Sequence, residues 1–164
     1  MTTGAAGTQH AVAPNPARFS LLTRDDLYLF NQGRHFRLYE KLGSHVVRVG
    51  DRKGAYFAVW APNAESVSVV GSFNDWDRSK CPLGPREQSG IWEGFVPNVG
   101  KGARYKLRIV NRDTGNAQEK ADPFAFRQEE PPRTASVVHA LDYEWGDAEW
   151  MKSRARRNEL GAPI

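Results

Sequence analysis

Hydrophobic and polar positions alternate along much of this chain. The clearest case runs from Arg104 to Val110, where Tyr105, Leu107 and Ile109 fall on one face and Lys106 and Arg108 on the other. A period of two is the mark of a strand with one buried face. Ser66 to Gly71 repeats it, with Val67 and Val69 on one face and Ser66, Ser68 and Val70 on the other. Ala55 to Ala61 carries large residues on both faces and predicts a central strand, with Trp60 as a buried core residue. His45–Val49, Ile91–Pro97 and Ala135–His139 are further strand candidates. Turn residues punctuate them: Asp51–Gly54, Pro62-Asn63, Asn98–Gly102 and Asn111–Asn116. About seven short strands within about 100 residues predict an all-β protein, an immunoglobulin-like antiparallel β-sandwich.

Helical spacing is confined to the two ends. Thr23 is a helix cap with Asp25 and Asp26 in the positive first turn, Leu27 and Phe30 share a face, and Gly33 is the stop. Arg34–Leu42 is a short aromatic-rich segment that Gly43 closes. Asp147–Asn158 predicts a helix anchored by Trp150 and Met151. Residues 1–16 are rich in Thr, Gly, Ala and Pro and are expected to be flexible. The expected division is a tail over 1–19, a helical lead-in over 20–44, a sandwich over 45–141 and a helical linker over 142–164.

Composition narrows the picture. At 164 residues and 40% hydrophobic, the chain can bury one domain's core. The lone cysteine, Cys81, excludes an intramolecular disulfide and fits a reducing compartment. No apolar run approaches the roughly 20 residues that span a bilayer, and Met1–Pro16 has no secretory-signal pattern. The expectation is a soluble, cytoplasmic chain with no membrane partner. A net charge of +4 suggests nucleic acid at first. The densest basic run, Lys152, Arg154, Arg156 and Arg157, is interleaved with Asp147, Glu149 and Glu159, as a solvated helix face would be. No nucleic-acid partner is expected.

Catalytic and metal chemistry find little support. His10, His35, His45 and His139 are scattered without ligand spacing. Gly100-Lys-Gly102 leads into a strand and reads as a hairpin turn, not a phosphate cradle. The adjacent pairs Asp25-Asp26 and Glu129-Glu130 diverge in direction and cannot converge across a bond. No catalytic residue, metal or cofactor is assigned. The stretch past Gly71 is more informative: Phe73 and Trp76 flank Asn74 and Asp75. A ring beside amide and carboxylate groups suits a flat polar ligand such as a sugar. The competing reading makes both aromatics core residues capping the strand, and the usual burial of Trp and Phe favours it.

Several segments taken together resemble a known family. Phe57-Ala-Val-Trp-Ala-Pro-Asn-Ala64, Val69-Val-Gly-Ser-Phe-Asn-Asp-Trp-Asp77, Ser89-Gly-Ile-Trp-Glu93, Tyr105-Lys106 and Lys120-Ala-Asp-Pro-Phe-Ala-Phe126 are similar to the glycogen- and starch-associated carbohydrate-binding module. Their order and spacing resemble the version that precedes the catalytic barrel of 1,4-α-glucan branching enzymes. Asp26–Gly33 and Tyr39–His45 resemble that version's lead-in, and Arg156–Ile164 resembles the linker before the barrel.

The resemblance implies an immunoglobulin-like, non-catalytic module. Its implied partners are α-glucans (glycogen, amylose, malto-oligosaccharides) and the catalytic barrel of its own full-length chain. It implies an N-terminal fragment of an enzyme that forms α-1,6 branches in glycogen biosynthesis. By position it implies a carbohydrate site of Trp76 as stacking platform, Lys106 and Asn74 as hydrogen-bonding groups, and Thr134, with Ser136, as the last polar contacts. Gln118, Glu119 and Lys120 stand where the family's strongest binders carry a second Trp. That departure leaves an alternative, a structural module packed on the barrel with a vestigial sugar site.

Overall fold

The computed structural model describes residues 19–157. Residues 1–18 of the tail expected over 1–19 and the end of the expected linker, residues 158–164, lie outside them. Helix α1, Arg24–Asn31, starts as anticipated. The Thr23 hydroxyl accepts from the Asp26 amide, and the Thr23 amide donates to the Asp26 carboxylate, a reciprocal capping box. Gly33 at φ 66° lets the chain turn off the helix, its amide donating to the Phe30 carbonyl. One 3-10 turn, Leu38–Glu40, follows.

Among the described residues nine strands come next: β1 Gly43–Val49, β2 Arg52–Trp60, β3 Ala64–Gly71, β4 Pro82–Pro85, β5 Ile91–Pro97, β6 Arg104–Asn111, β7 Ala117–Lys120, β8 Arg127–Gln128 and β9 Ser136–Val137. All pairings are antiparallel. The sheet runs β1-β2-β5-β4-β3-β6-β9-β8, with β7 also on β6. It folds at β4, where Pro82 and Leu83 pair with β3 while Gly84 and Pro85 pair with β5. The two halves face each other as the layers of an immunoglobulin-like sandwich, as the spacing of the strands predicts. Helix α2, Ala148–Arg157, ends the described chain.

The alternation in β3 and β6 places side chains as expected. Val67, Val69, Tyr105 and Leu107 fill the space between the layers with Ala55, Phe57 and Val59 of β2, and Ile109 packs against them. Phe57 lies at the centre. It stacks on Phe73 at 6.3 Å and meets Tyr105 edge-on at 5.0 Å between centroids, both within the range of favourable aromatic pairs.

The large residues on the other face of β2 have a separate cause. Tyr56 and Ala58 point away from the sandwich interior, and the lead-in covers them. Leu22, Leu27 and Leu42 join Tyr56, Ala58 and Ile91 in a second apolar cluster. Ser20 and Tyr56 both donate to the Glu93 carboxylate across this seam. Burial, first of all, and then Glu93 push the Tyr56 hydroxyl far above the ordinary tyrosine value.

Three expectations are corrected. Trp60, predicted as core within the apolar run of β2, is 55% exposed. It is the last residue of its strand, where the cover from the lead-in runs out, and Phe30 meets it edge-on at 6.1 Å. The turn before β2 is shorter than Asp51–Gly54, because Val49 already pairs with Arg52. The last strand is Ser136–Val137 in place of Ala135–His139.

Candidate functional site

Gly71 ends β3 and decides how the next residues lie. A Cβ there would come within 2.3 Å of the Arg104 carbonyl and 2.7 Å of the Phe73 ring. Its absence lets Phe73 fold back over the strand end onto Phe57. Phe73 is therefore partly buried and packs against the core, in the direction that burial statistics for aromatics favour.

Trp76 takes the opposite course. The Asn74 and Trp76 amides both donate to the Gly71 carbonyl, at 3.2 and 3.0 Å, and the Asp77 amide donates to the Asn74 carbonyl. Asp75 and Trp76 adopt left-handed backbone, φ 55° and 59°. Such conformations cost about 1–3 kcal/mol in a non-glycine residue and persist only where neighbours enforce them. The enforcing group is the Asn74 side chain. Its Oδ1 accepts from the Gly71 amide at 2.9 Å and its Nδ2 donates to the Val69 carbonyl at 3.0 Å. The result is an indole turned outward, 41% exposed.

Asn74 itself departs from its expected place. It is 6% exposed, and its amide is engaged with backbone, so it shapes the turn and does not face solvent.

Lys106 stands half-buried on the outer side of β6, opposite Val70, with Tyr105 opposite Gly71. It lies beside the strand end from which the Trp76 turn springs. On the other edge of β6, Ser136 of β9 pairs with Tyr105, and exposed Thr134 precedes that strand. Lys106 thus lies on the strand between β3, which leads into the Trp76 turn, and β9, which follows Thr134. Ser136 is fully buried. Its hydroxyl accepts from the Asp122 amide and donates to Gln128 Oε1, which corrects its expected role as an outward contact.

Asp122 anchors this buried network. Tyr105 donates to its Oδ2 at 2.7 Å and the Phe124 amide to its Oδ1 at 2.9 Å. Burial raises the Asp122 carboxyl above the ordinary value, against the lowering pull of Tyr105, the Phe124 amide and His45.

Sequence reasoning did not find the charged side chains around the platform. Arg78, in the loop after Trp76, donates to Glu119 of β7 at 2.8 Å. Arg108 is the cross-strand neighbour of Glu119. The alternation of β6 marks Arg108 as outward, but nothing in the sequence pairs Arg78 with a strand 41 residues away.

Known proteins are similar to this chain in sequence and in fold. The 1,4-alpha-glucan branching enzyme GlgB of Thermosynechococcus vestitus is 48% identical over 152 residues, 92% of this chain and 20% of that protein. The enzyme of the same name from Myxococcus xanthus is 52% identical over 136 residues, 82% of this chain and 18% of that protein. The chain thus spans about a fifth of the length of these relatives. Among solved structures, Klebsiella pneumoniae pullulanase complexed with maltotriose superposes with a TM-score of 0.51 at 25% identity, over 63% of this chain and 10% of that one. Klebsiella oxytoca PulA gives 0.52 at 24%, with the same coverage. The family model for carbohydrate-binding module 48 (isoamylase N-terminal domain) matches residues 41–125, a span that includes Trp76 and Lys106 and stops short of Thr134. With more than half of its length matched and the fold in agreement, this chain belongs to the carbohydrate-binding module 48 family.

Proposed function

We propose that the chain binds α-1,4-linked glucans through Trp76 and Lys106, as the N-terminal module of a cytoplasmic 1,4-α-glucan branching enzyme acting in glycogen biosynthesis. The observation that carries this reading is the Trp76 turn. A strained backbone held by buried hydrogen bonds presents an indole to solvent past the end of β3, the strand on which Val70 faces Lys106. An indole face accepts the C–H face of a glucose ring, and the Lys106 ammonium donates to sugar hydroxyls. Thr134 supplies a further hydroxyl at the margin, and Asn74 contributes by holding the turn. One platform suits weak binding of a short oligosaccharide, on the order of 1 mM, about −4 kcal/mol. The reaction itself belongs to the catalytic barrel of the longer protein, and the module's part is to hold substrate near it.

The test is a titration of the chain with maltoheptaose, followed by NMR at the Trp76 indole N–H. Trp76→Ala should abolish measurable binding and move the melting temperature by less than about 3 °C. Lys106→Ala should weaken binding to a lesser degree. Failure of the Trp76 signal to move at any sugar concentration would refute the reading.

A second reading has its own support. Phe36, Leu141, Tyr143 and Trp145 are 89, 70, 74 and 76% exposed, more large apolar surface than an isolated module ordinarily shows. On this reading these residues pack against the catalytic barrel and the sugar site is vestigial. A maltoheptaose titration without effect on Trp76, together with binding of the isolated barrel, would favour it.

A further inference from the structure

Three arginines line a groove of about 760 Å³ beside the start of β6, a size common for ligand sites. The sheet puts two of them there. Arg104 of β6 and Arg127 of β8 each face Val137 of β9, so the three residues form one row across neighbouring strands. Directly opposed residues of antiparallel strands project from the same face. Val137 is buried and floors the groove. The two arginines flank it, their backbones two strand spacings apart, about 10 Å. Arg133 comes from the loop between β8 and β9. That loop is pinned. The Glu129 amide donates to the Ala135 carbonyl at 2.9 Å, the Ala135 amide to the Glu129 carboxylate at 3.3 Å, and the Arg133 amide to the Glu130 carbonyl at 3.1 Å. The Trp76 turn is tied to the same end of β6. The Ser72 amide donates to the Arg104 carbonyl at 2.9 Å, and the Ser72 hydroxyl accepts from the Arg104 amide at 3.2 Å.

The charges are unevenly used. Glu129 faces Arg104 at 3.5 Å, whereas Arg127 and Arg133 have no carboxylate partner among the described residues. Glu130 is exposed, which leaves the lining with three arginines against two glutamates. Farther along the same face Glu119 holds Arg78 and is the cross-strand neighbour of Arg108. The uncommitted positive charge therefore gathers at the Arg104 end. Lys106 adds to it from two residues along β6 on the same face, about 7 Å away. Neutral glucose units have no use for such a cluster. A phosphate monoester does: it carries a charge of about −1.5 to −2 near neutral pH, and guanidinium forks grip its oxygens in pairs. We propose that this groove binds a phosphate monoester borne on an α-glucan chain, which rests on the glucan-binding reading of the module and narrows its substrate class. Trp76 and Lys106 hold the sugar, Arg127 and Arg133 grip the phosphate, and Arg104 completes the positive wall.

The experiment titrates the whole chain with phosphorylated malto-oligosaccharides and with the same preparation after phosphatase treatment. NMR follows the Trp76 indole N–H and the arginine Nε–H signals. Phosphorylated chains should bind at least about tenfold more tightly than dephosphorylated ones and should move the Arg127 and Arg133 signals. Added salt should shrink the preference, because exposed charges are screened. The double variant Arg127→Gln, Arg133→Gln should lose the preference and keep its affinity for dephosphorylated chains, with melting curves to check its fold. Glu130→Gln, which removes the opposing carboxylate, should strengthen the preference. Equal affinity for the two preparations would overturn the phosphate site and leave glucan binding at Trp76 standing. Dephosphorylated chains without effect on Trp76, with phosphorylated ones still held by Arg127 and Arg133, would sustain the phosphate site and remove the Trp76 reading. Glucose 6-phosphate or inorganic phosphate binding as tightly as the phosphorylated chains would overturn the glucan-borne assignment. Tighter binding of a single-stranded DNA oligonucleotide would overturn it in favour of nucleic acid.

Discussion

Asn74 offers the sharpest test of how the site is built. Asn74→Ala removes a side chain that satisfies two backbone groups at the end of β3, the Gly71 amide at 2.9 Å and the Val69 carbonyl at 3.0 Å. Each buried group left without its partner costs about 1–3 kcal/mol. Water reaching the opened turn offsets part of this, so the expected loss is about 2–4 kcal/mol. For a domain of this size, 1 kcal/mol corresponds to about 2–4 °C in melting temperature, which predicts a fall of roughly 4–16 °C. The same change frees Asp75 and Trp76 from left-handed backbone that they do not otherwise favour. The platform should lose its orientation, and glucan affinity should fall together with stability. Asn74→Asp keeps the acceptor for the Gly71 amide and sets a carboxylate against the Val69 carbonyl, so its stability should lie near or below that of Asn74→Ala. The assay is thermal melting by circular dichroism alongside a maltoheptaose titration. A large loss of binding with a melting shift under about 2 °C would refute the reasoning, because it would make Asn74 a direct sugar contact.

Other perturbations probe the rest of the molecule. Phe57→Ala should cost about 3–5 kcal/mol in denaturant melts, the range for a large buried aromatic, while the half-exposed Trp60 should cost about 1 kcal/mol when changed to Ala; equal losses would contradict the two burial assignments. Asp122→Asn should alter the pH profile of stability. The folded carboxyl is raised by burial, so its term is fully present below the unfolded value of about 3.9 and is lost as pH rises through the folded one. Melting temperatures of Asp122→Asn should fall less than those of the unaltered chain from about pH 4 upward, and parallel profiles would contradict this. Asp26 has the opposite sign. Burial favours its neutral form, but bonds from the Thr23 amide, His35, the Thr23 hydroxyl and Lys41 outweigh this and hold the carboxyl well below its usual range. Its stabilisation is present above about pH 3.9 and fades as acid is added, a loss that Asp26→Asn should remove.

What could be read from the sequence follows from which residues have simple environments. β6 was legible residue by residue, because one of its faces meets the core and the other does not. The apolar run of β2 correctly announced a strand covered on both sides. It could not tell where the covering element stops, which is why Trp60 reads as core and stands outside it. β4 pairs through two residues with each neighbour and carries two prolines and a glycine. β7 is exposed throughout and holds nothing more apolar than Ala117. Neither leaves a hydrophobic period to detect. In the site, Phe73 and Trp76 look equivalent on paper, and left-handed backbone at Trp76 separates them. Asn74 shows the matching difficulty for polar groups, since an amide bonded to backbone and one offered to a sugar have the same letter.

The double cover of β2 has a consequence for where such a module can be cut. The family match begins at residue 41, yet Leu22 and Leu27, together with the partly buried Phe19 and Phe30, complete the second apolar cluster over Tyr56, Ala58 and Ile91. A polypeptide begun at residue 41 would keep every strand and still present a bare apolar sheet face to water, a surface on which other molecules of its kind would adhere. The boundary drawn by similarity and the boundary drawn by solubility are therefore about 20 residues apart in this chain, and the second is the one that an expressed module must respect.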